Sequence, residues 1–139
     1  MGALLRAAWK GVRDRIEASV RGAGYDDVTP AHLSLFRHPT LDGTHPGEIA
    51  AEMQITKQAV NDLLGDLERL GYIRRDVDPD DRRARLVRLT AAGRRLEDTV
   101  RIAAREAERS LARELGEARL RSFRTTLIDA ARILNERTD

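Results

Sequence analysis

Apolar residues recur at steps of three and four along most of this chain, and the pattern switches to alternation once. Leu5, Trp9, Val12, Ile16 and Val20 form the stripe of an amphipathic helix over about residues 3 to 23. The segment GAGYDD breaks it. In VTPAHLSLFRH, Thr29 is placed to cap and Pro30 suits a first helical position, with Leu33 and Phe36 inward and Leu35 a further inward position. PTLDGTHPG reads as a connecting loop. PGEIAAEM is a short helix with Ile49, Ala50 and Met53 inside. After a break at Gln54-Ile55, Thr56 is the expected N-cap of a helix of about fourteen residues, whose apolar face is Val60, Leu63, Leu64, Leu67 and Leu70. Gly71 stops that helix. Two short helices with a tight connection are the pattern of a helix-turn-helix.

Alternation appears next. YIRRDV and ARLVRL are short strands separated by DPDDRR, whose Asp-Pro and Asp-Asp pairs form turns. Val87 and Leu89 are expected to anchor this hairpin inward, leaving Arg88 outward and Arg82 and Arg83 at the tip. A hairpin that follows a helix-turn-helix is a wing. Thr90 then caps a long helix, roughly 91–115, with Leu96, Val100, Ala103, Ala107, Leu111 and Leu115 in register and Gly116 at its end. A last helix, about 117–136, carries Leu120, Phe123, Leu127, Ala131 and Leu134. The pattern predicts a mainly α (α+β) fold: a winged helix-turn-helix over 29–90, and a helical dimerisation lobe from 1–28 and 91–139. The outer helices hold more apolar surface than a small winged domain can cover, which predicts a homodimer.

Charge sharpens the picture. The net charge of the 139 residues is only +2, yet residues 69–95 hold nine arginines against four acids, a local excess of +5. Positive charge gathered in one place is the footprint expected for a polyanionic partner. With no cysteine in the chain, disulfides, thiolate metal sites and thiol redox sensing are excluded. Apolar runs stay well short of the roughly 18 residues that span a bilayer, and the first residues carry charge too early for a signal peptide, so the expectation is a soluble cytoplasmic (nucleoid-associated) protein without a membrane partner.

The segments TPAHLSLF, EIAAEMQITKQAVNDLLGDLERLGYIRR and DPDDRRARLVRLTAAGR resemble the MarR family of bacterial transcription regulators. The specific part is the wing, where Asp81, Arg83, Val87, Leu89, Thr90 and Gly93 fall at the family's spacing. Gln54 stands where members often have glycine, and Asp76-Val77 replaces a commonly basic-then-proline pair. The resemblance implies a DNA-binding regulator, commonly a repressor, acting as a homodimer on a pseudo-palindrome with half-sites ~10 bp apart. It also implies a small-molecule effector, often a phenolic or aromatic anion.

On duplex DNA the solvent face of the second helix would offer Thr56 and Lys57 to phosphate, with guanine a second target for Lys57. Gln58 and Asn61 would bridge adenine edges. Asp62 would either accept from a cytosine amine or face solvent. Arg83, with Arg82 as alternate, would enter a narrow minor groove. Asp81 is expected to pair with an arginine such as Arg75, stiffening the hairpin; Arg75 is itself a candidate DNA contact. Trp9, Tyr25, His32 and Phe36 are the large or titratable groups that could line an effector pocket, although aromatics at helical spacing ordinarily fill cores. His32, His38 and His45 match no standard metal-ligand spacing, so neither metal nor cofactor is expected, and His38 and His45 are read as exposed loop residues. No phosphate-binding glycine loop, nucleophile elbow or paired carboxylates suggest an enzyme. A helical adaptor is the main rival, but it has no need of outward arginines on a hairpin. A DNA-architectural protein without sequence choice is a third class.

Overall fold

The computed structural model describes residues 1–36 and 41–135. Helices α1 (Gly2–Gly22), α2 (Pro30–Phe36), α3 (Pro46–Met53) and α4 (Lys57–Arg69) precede strands β1 (Ile73–Val77) and β2 (Arg85–Leu89). Helices α5 (Ala91–Leu115) and α6 (Glu117–Asn135) complete the chain. Two compact units divide it, Met1–Ala103 and Ala104–Asp139.

In the first unit the core is built where the apolar stripes meet. Ile16 and Val20 of α1, Leu33, Leu35 and Phe36 of α2, Ile49 of α3, and Val60, Leu64 and Leu67 of α4 are all buried. Leu63 is only half-buried and Leu70 is exposed, so the inward stripe of α4 is narrower than its leucines suggest. Leu96, Val100 and Ala103 of α5 join this core.

β1 and β2 pair antiparallel, from Ile73 opposite Leu89 to Val77 opposite Arg85. Val87 and Leu89 are buried as the alternation requires, and Leu86 is buried as well. The far edge of β2 is not free. Gly43 N–H donates to the Val87 carbonyl (2.7 Å) and Val87 N–H donates to that of Thr44 (3.0 Å). The Asp42 carboxylate accepts from Leu89 N–H (2.9 Å) and from Arg94 (2.9 Å). Burial pushes the Asp42 carboxyl upward, but the Leu89 N–H and the Arg94 guanidinium outweigh it and hold the group below the usual carboxylate range. Residues 42–44, which read as punctuation in sequence, therefore cover the outer edge of β2. A single hydrogen-bonded pair and one Asx side chain leave no periodicity to detect.

Gln54 closes α3 in the left-handed conformation, with φ 55° and ψ 40°. It is the one non-glycine residue with positive φ among the described residues. The turn of the helix-turn-helix thus keeps the backbone a glycine would adopt, at a cost of order 1 kcal/mol for the side-chain clash. Gln54→Gly is expected to raise stability by about 0.5 kcal/mol, since glycine's larger unfolded-state entropy cancels part of the relief. Urea unfolding would show a higher midpoint at unchanged slope; a lower midpoint would mean that the Gln54 side chain stabilises the turn.

In the second unit, Ala107 and Ala112 of α5 are buried, whereas α6 buries nothing. Phe123, Leu127, Ile128, Ile133 and Leu134 are exposed on α6, as are Leu4, Leu5 and Trp9 on α1. Between α5 and α6 lies an open crevice of about 280 Å³, bordered by Ala112 and Leu120 and rimmed by Arg105, Arg109, Arg121 and Arg124 with Glu108 and Glu117.

Candidate nucleic-acid interface

Thr56 caps α4 by accepting from Ala59 N–H (3.1 Å), which leaves its hydroxyl proton free to donate. Thr56, Lys57, Gln58 and Asp62 are exposed along the start of the helix, and Asn61 is half-buried. Gln58 Nε2 donates to Asp62 Oδ1 (2.8 Å), the i,i+4 contact that helical spacing allows. Asn61 Oδ1 accepts from Arg75 Nη1 (3.4 Å).

Arg75 does not pair with Asp81. Its backbone N–H and its Nε donate to the two oxygens of Glu68 (3.1 and 3.2 Å), tying β1 to α4. Asp81 instead stiffens its own turn by accepting from Arg83 N–H (3.0 Å). The expected Asp81–Arg75 pair fails because β1 lies along α4, within reach of Glu68, while Asp81 sits at the hairpin tip.

His45 is likewise not the exposed loop histidine expected. It is half-buried at the start of α3, with Nε2 3.0 Å from Asp78 and Nδ1 3.2 Å from the Arg85 carbonyl. Its backbone N–H donates to Glu48 (3.1 Å). Asp78 is buried and also accepts from Asp80 N–H (2.9 Å). His45 and Asp78 thus clamp the base of the wing turn to the helix-turn-helix. His38 lies outside the described residues. Among the described residues no group of three His, Asp or Glu is placed to hold a metal ion.

Arg82 and Arg83 are exposed at the tip, and neither side chain has a hydrogen bond or ion pair among the described residues. Arg85 folds back to donate to the carbonyls of Arg82 (3.4 Å) and Ala84 (3.2 Å), holding the turn closed beneath them. The tip is hydrogen-bonded in backbone, and its Arg82 and Arg83 side chains are unengaged among the described residues.

The residues considered for an effector pocket differ in exposure. Trp9 is exposed, while His32 and Phe36 are buried. His32 Nδ1 accepts from Thr29 N–H (3.1 Å), so the ring carries its proton on Nε2, which faces Asp66 Oδ2 (3.4 Å) and links α2 to α4. Tyr25 stands against Tyr72, ring centroids 6.1 Å apart. The Tyr72 hydroxyl donates to both oxygens of Asp27 (2.9 and 3.1 Å). Burial, reinforced by this hydrogen bond and the Asp27 charge, pushes the phenol up to about 12. Glu68, Asp78 and Asp42 were not legible as parts of the site. Their partners are distant in sequence, and an acid beside arginines looks like any solvated charge.

Residues 26–84 match the family model described as MarR family. This winged-helix segment is similar to the MarR family. A MarR-type relative, the transcriptional activatory protein BadR of Rhodopseudomonas palustris, is 32% identical over 77 residues, 55% of this chain and 44% of that protein. The match therefore spans less than half the relative's length. Among solved structures, the fold is similar to FabT of Streptococcus pneumoniae in complex with DNA, with a TM-score of 0.82 and 20% identity, covering 97% of this chain and 95% of that one. It is also similar to a mutant of S. aureus MepR bound to an oligodeoxyribonucleotide, with a TM-score of 0.60 and 26% identity over 96% of each chain. The mostly helical chain with its two-stranded wing is thus a winged-helix MarR fold, and no described helix is long and apolar enough to cross a membrane.

Proposed function

We propose that this chain is a sequence-specific DNA-binding transcription regulator working as a homodimer on a pseudo-palindromic promoter site. The carrying observation is the pairing of two unengaged arginines on a braced hairpin tip with the polar face of α4 in one compact unit. In this reading α4 enters the major groove, the Thr56 hydroxyl and Lys57 meet phosphate, and Arg82 and Arg83 reach the adjacent minor groove. Arg75 acts as the brace between wing and helix.

The exposed apolar residues of α1 and α6 support dimerisation through segments 1–28 and 91–139, since a monomer would leave them in water. Light scattering at micromolar concentration is expected to give twice the 15.6 kDa chain mass. A single-chain mass would remove the twofold arrangement and with it the paired half-sites.

Occupation of a promoter excludes polymerase, so repression is the proposed outcome. An aromatic or phenolic effector would act by preferring a dimer with the wrong helix spacing, in proportion to its differential affinity. His32 and Phe36 could join such a site only by leaving their core positions. The test is selection of bound fragments from the source genome, followed by transcription from a selected promoter with and without the protein. Enrichment of one motif and a fall in transcript are expected. Enrichment of no sequence, with equal affinity for random duplex, would rule out sequence-specific regulation, and a rise in transcript would make the protein an activator.

A further inference from the structure

We propose that DNA binding by this protein takes up a proton at His45, because the clamp between the wing turn and α3 is complete only when that ring carries both of its protons. This rests on the reading above that the wing tip enters the minor groove.

The geometry sets the proton count. His45 Nε2 stands 3.0 Å from Asp78 Oδ2, and Nδ1 stands 3.2 Å from the Arg85 carbonyl oxygen. Both partners are acceptors, and a neutral imidazole has a single N–H to give them. With the ring neutral, one nitrogen turns a lone pair toward an oxygen. The imidazolium donates to both and also offsets the charge of a buried carboxylate. His32 is the opposite case: its Nδ1 accepts from Thr29 N–H (3.1 Å), so the neutral ring is the one that fits there.

The other groups around His45 leave this requirement in place. Asp80 N–H, an uncharged donor, occupies Asp78 Oδ1 (2.9 Å). Glu48 of α3 accepts from the His45 backbone N–H (3.1 Å) and adds negative charge nearby. Arg85 of β2 turns its guanidinium to the carbonyls of Arg82 and Ala84. Asp81 accepts from Arg83 N–H within the turn.

His45 is a positioning residue in this scheme. Residues 42–44 hold β2 at Val87 and Leu89, whereas His45 holds the end nearer the tip. The turn keeps its own shape without the ring, since Asp78 N–H donates to the Ala84 carbonyl (3.2 Å) and Ala84 N–H to that of Asp81 (2.9 Å). What the ring governs is where Arg82 and Arg83 stand relative to α3, and a tip already docked loses less freedom on entering the groove. A complex that needs the docked wing therefore favours the doubly protonated ring, and the negative potential of the duplex acts in the same direction. Affinity should rise as pH falls and decline as pH rises through about 5 to 8, where histidine charge changes.

The experiment is titration of a duplex with the full chain at constant ionic strength from about pH 6 to about pH 8, beside the variants Asp78→Asn and His45→Gln. The unmodified protein is expected to lose about fivefold in affinity over that range, the equivalent of one net hydrogen bond. Asp78→Asn supplies an N–H donor to Nε2, so a neutral ring satisfies every partner; this variant is expected to keep its affinity across the range. His45→Gln retains a donor for Asp78 and does not titrate, so its profile should also be flatter than that of the unmodified protein. Should Asp78→Asn fail to fold, as circular dichroism would report, His45→Gln decides alone. An unmodified protein with a flat profile, or variants that keep its full slope, would overturn the proton uptake while leaving DNA binding intact. Absence of binding to any duplex at any pH would instead overturn the DNA-binding reading, and this coupling with it.

Discussion

Gly93→Ala is expected to destabilise the protein by about 3 kcal/mol, the upper part of the range for overpacking a rigid site. A Cβ at Gly93 would lie 1.9 Å from the Tyr72 carbonyl oxygen and 2.9 Å from its carbon, inside any tolerable contact. These are backbone atoms, so a rotamer change offers no relief. The same carbonyl accepts from Thr90 N–H (3.0 Å), and the Thr90 hydroxyl, 2.6 Å from the Gly71 carbonyl, also caps Gly93 N–H (3.1 Å). Moving Tyr72 away would break the joint between the wing and the first turn of α5. Gly11→Ala is the control, because its Cβ would meet nothing within 4 Å and the residue sits in a helix interior. That change is expected to stabilise by up to about 1 kcal/mol. Thermal melts of the two variants should move in opposite directions; a Gly93→Ala melt within a degree of the parent protein would mean the α5–wing joint is loose.

The second large effect is on DNA. Arg82→Ala and Arg83→Ala together are expected to weaken binding to every duplex by about tenfold per arginine near 0.1 M salt. The salt dependence should flatten by roughly one for each phosphate that is no longer neutralised. The turn does not depend on these side chains: Asp78 and Asp81 cap it from within and His45 ties it to α3. An unchanged circular dichroism spectrum and melting temperature would therefore accompany the weaker binding. Titrations across salt concentrations separate this from altered sequence choice, which the proposed function assigns to Gln58 and Asn61. Full affinity and an unchanged salt slope in the double variant would remove the wing from the interface.

Much of the fold is legible because helices and hairpins are local. Thr56 caps, Gly71 stops with φ +80°, and Val60, Leu64 and Leu67 fall on one face, all within spacings a short window contains. The wing spacing of Asp81, Arg83, Val87, Leu89, Thr90 and Gly93 locates the hairpin, and Val87 and Leu89 are buried where alternation places them. Even the departure at Gln54 marks the turn, although only the backbone reveals that the left-handed conformation is retained there.

What the chain's residues determine alone is which segments are helix or strand, which faces are apolar, and that the free positive charge collects on the hairpin. Which partner each charged or amide group takes was decided by tertiary structure. Arg75 meets Glu68 and Asn61 rather than Asp81, and His45 meets Asp78 across 33 residues of sequence. Gly93 is needed for space against Tyr72, not for its own torsions. The physical reason is range: periodicity and capping act within a turn or two of chain, whereas hydrogen-bond polarity and steric exclusion depend on atoms that only folding brings within about 3 Å.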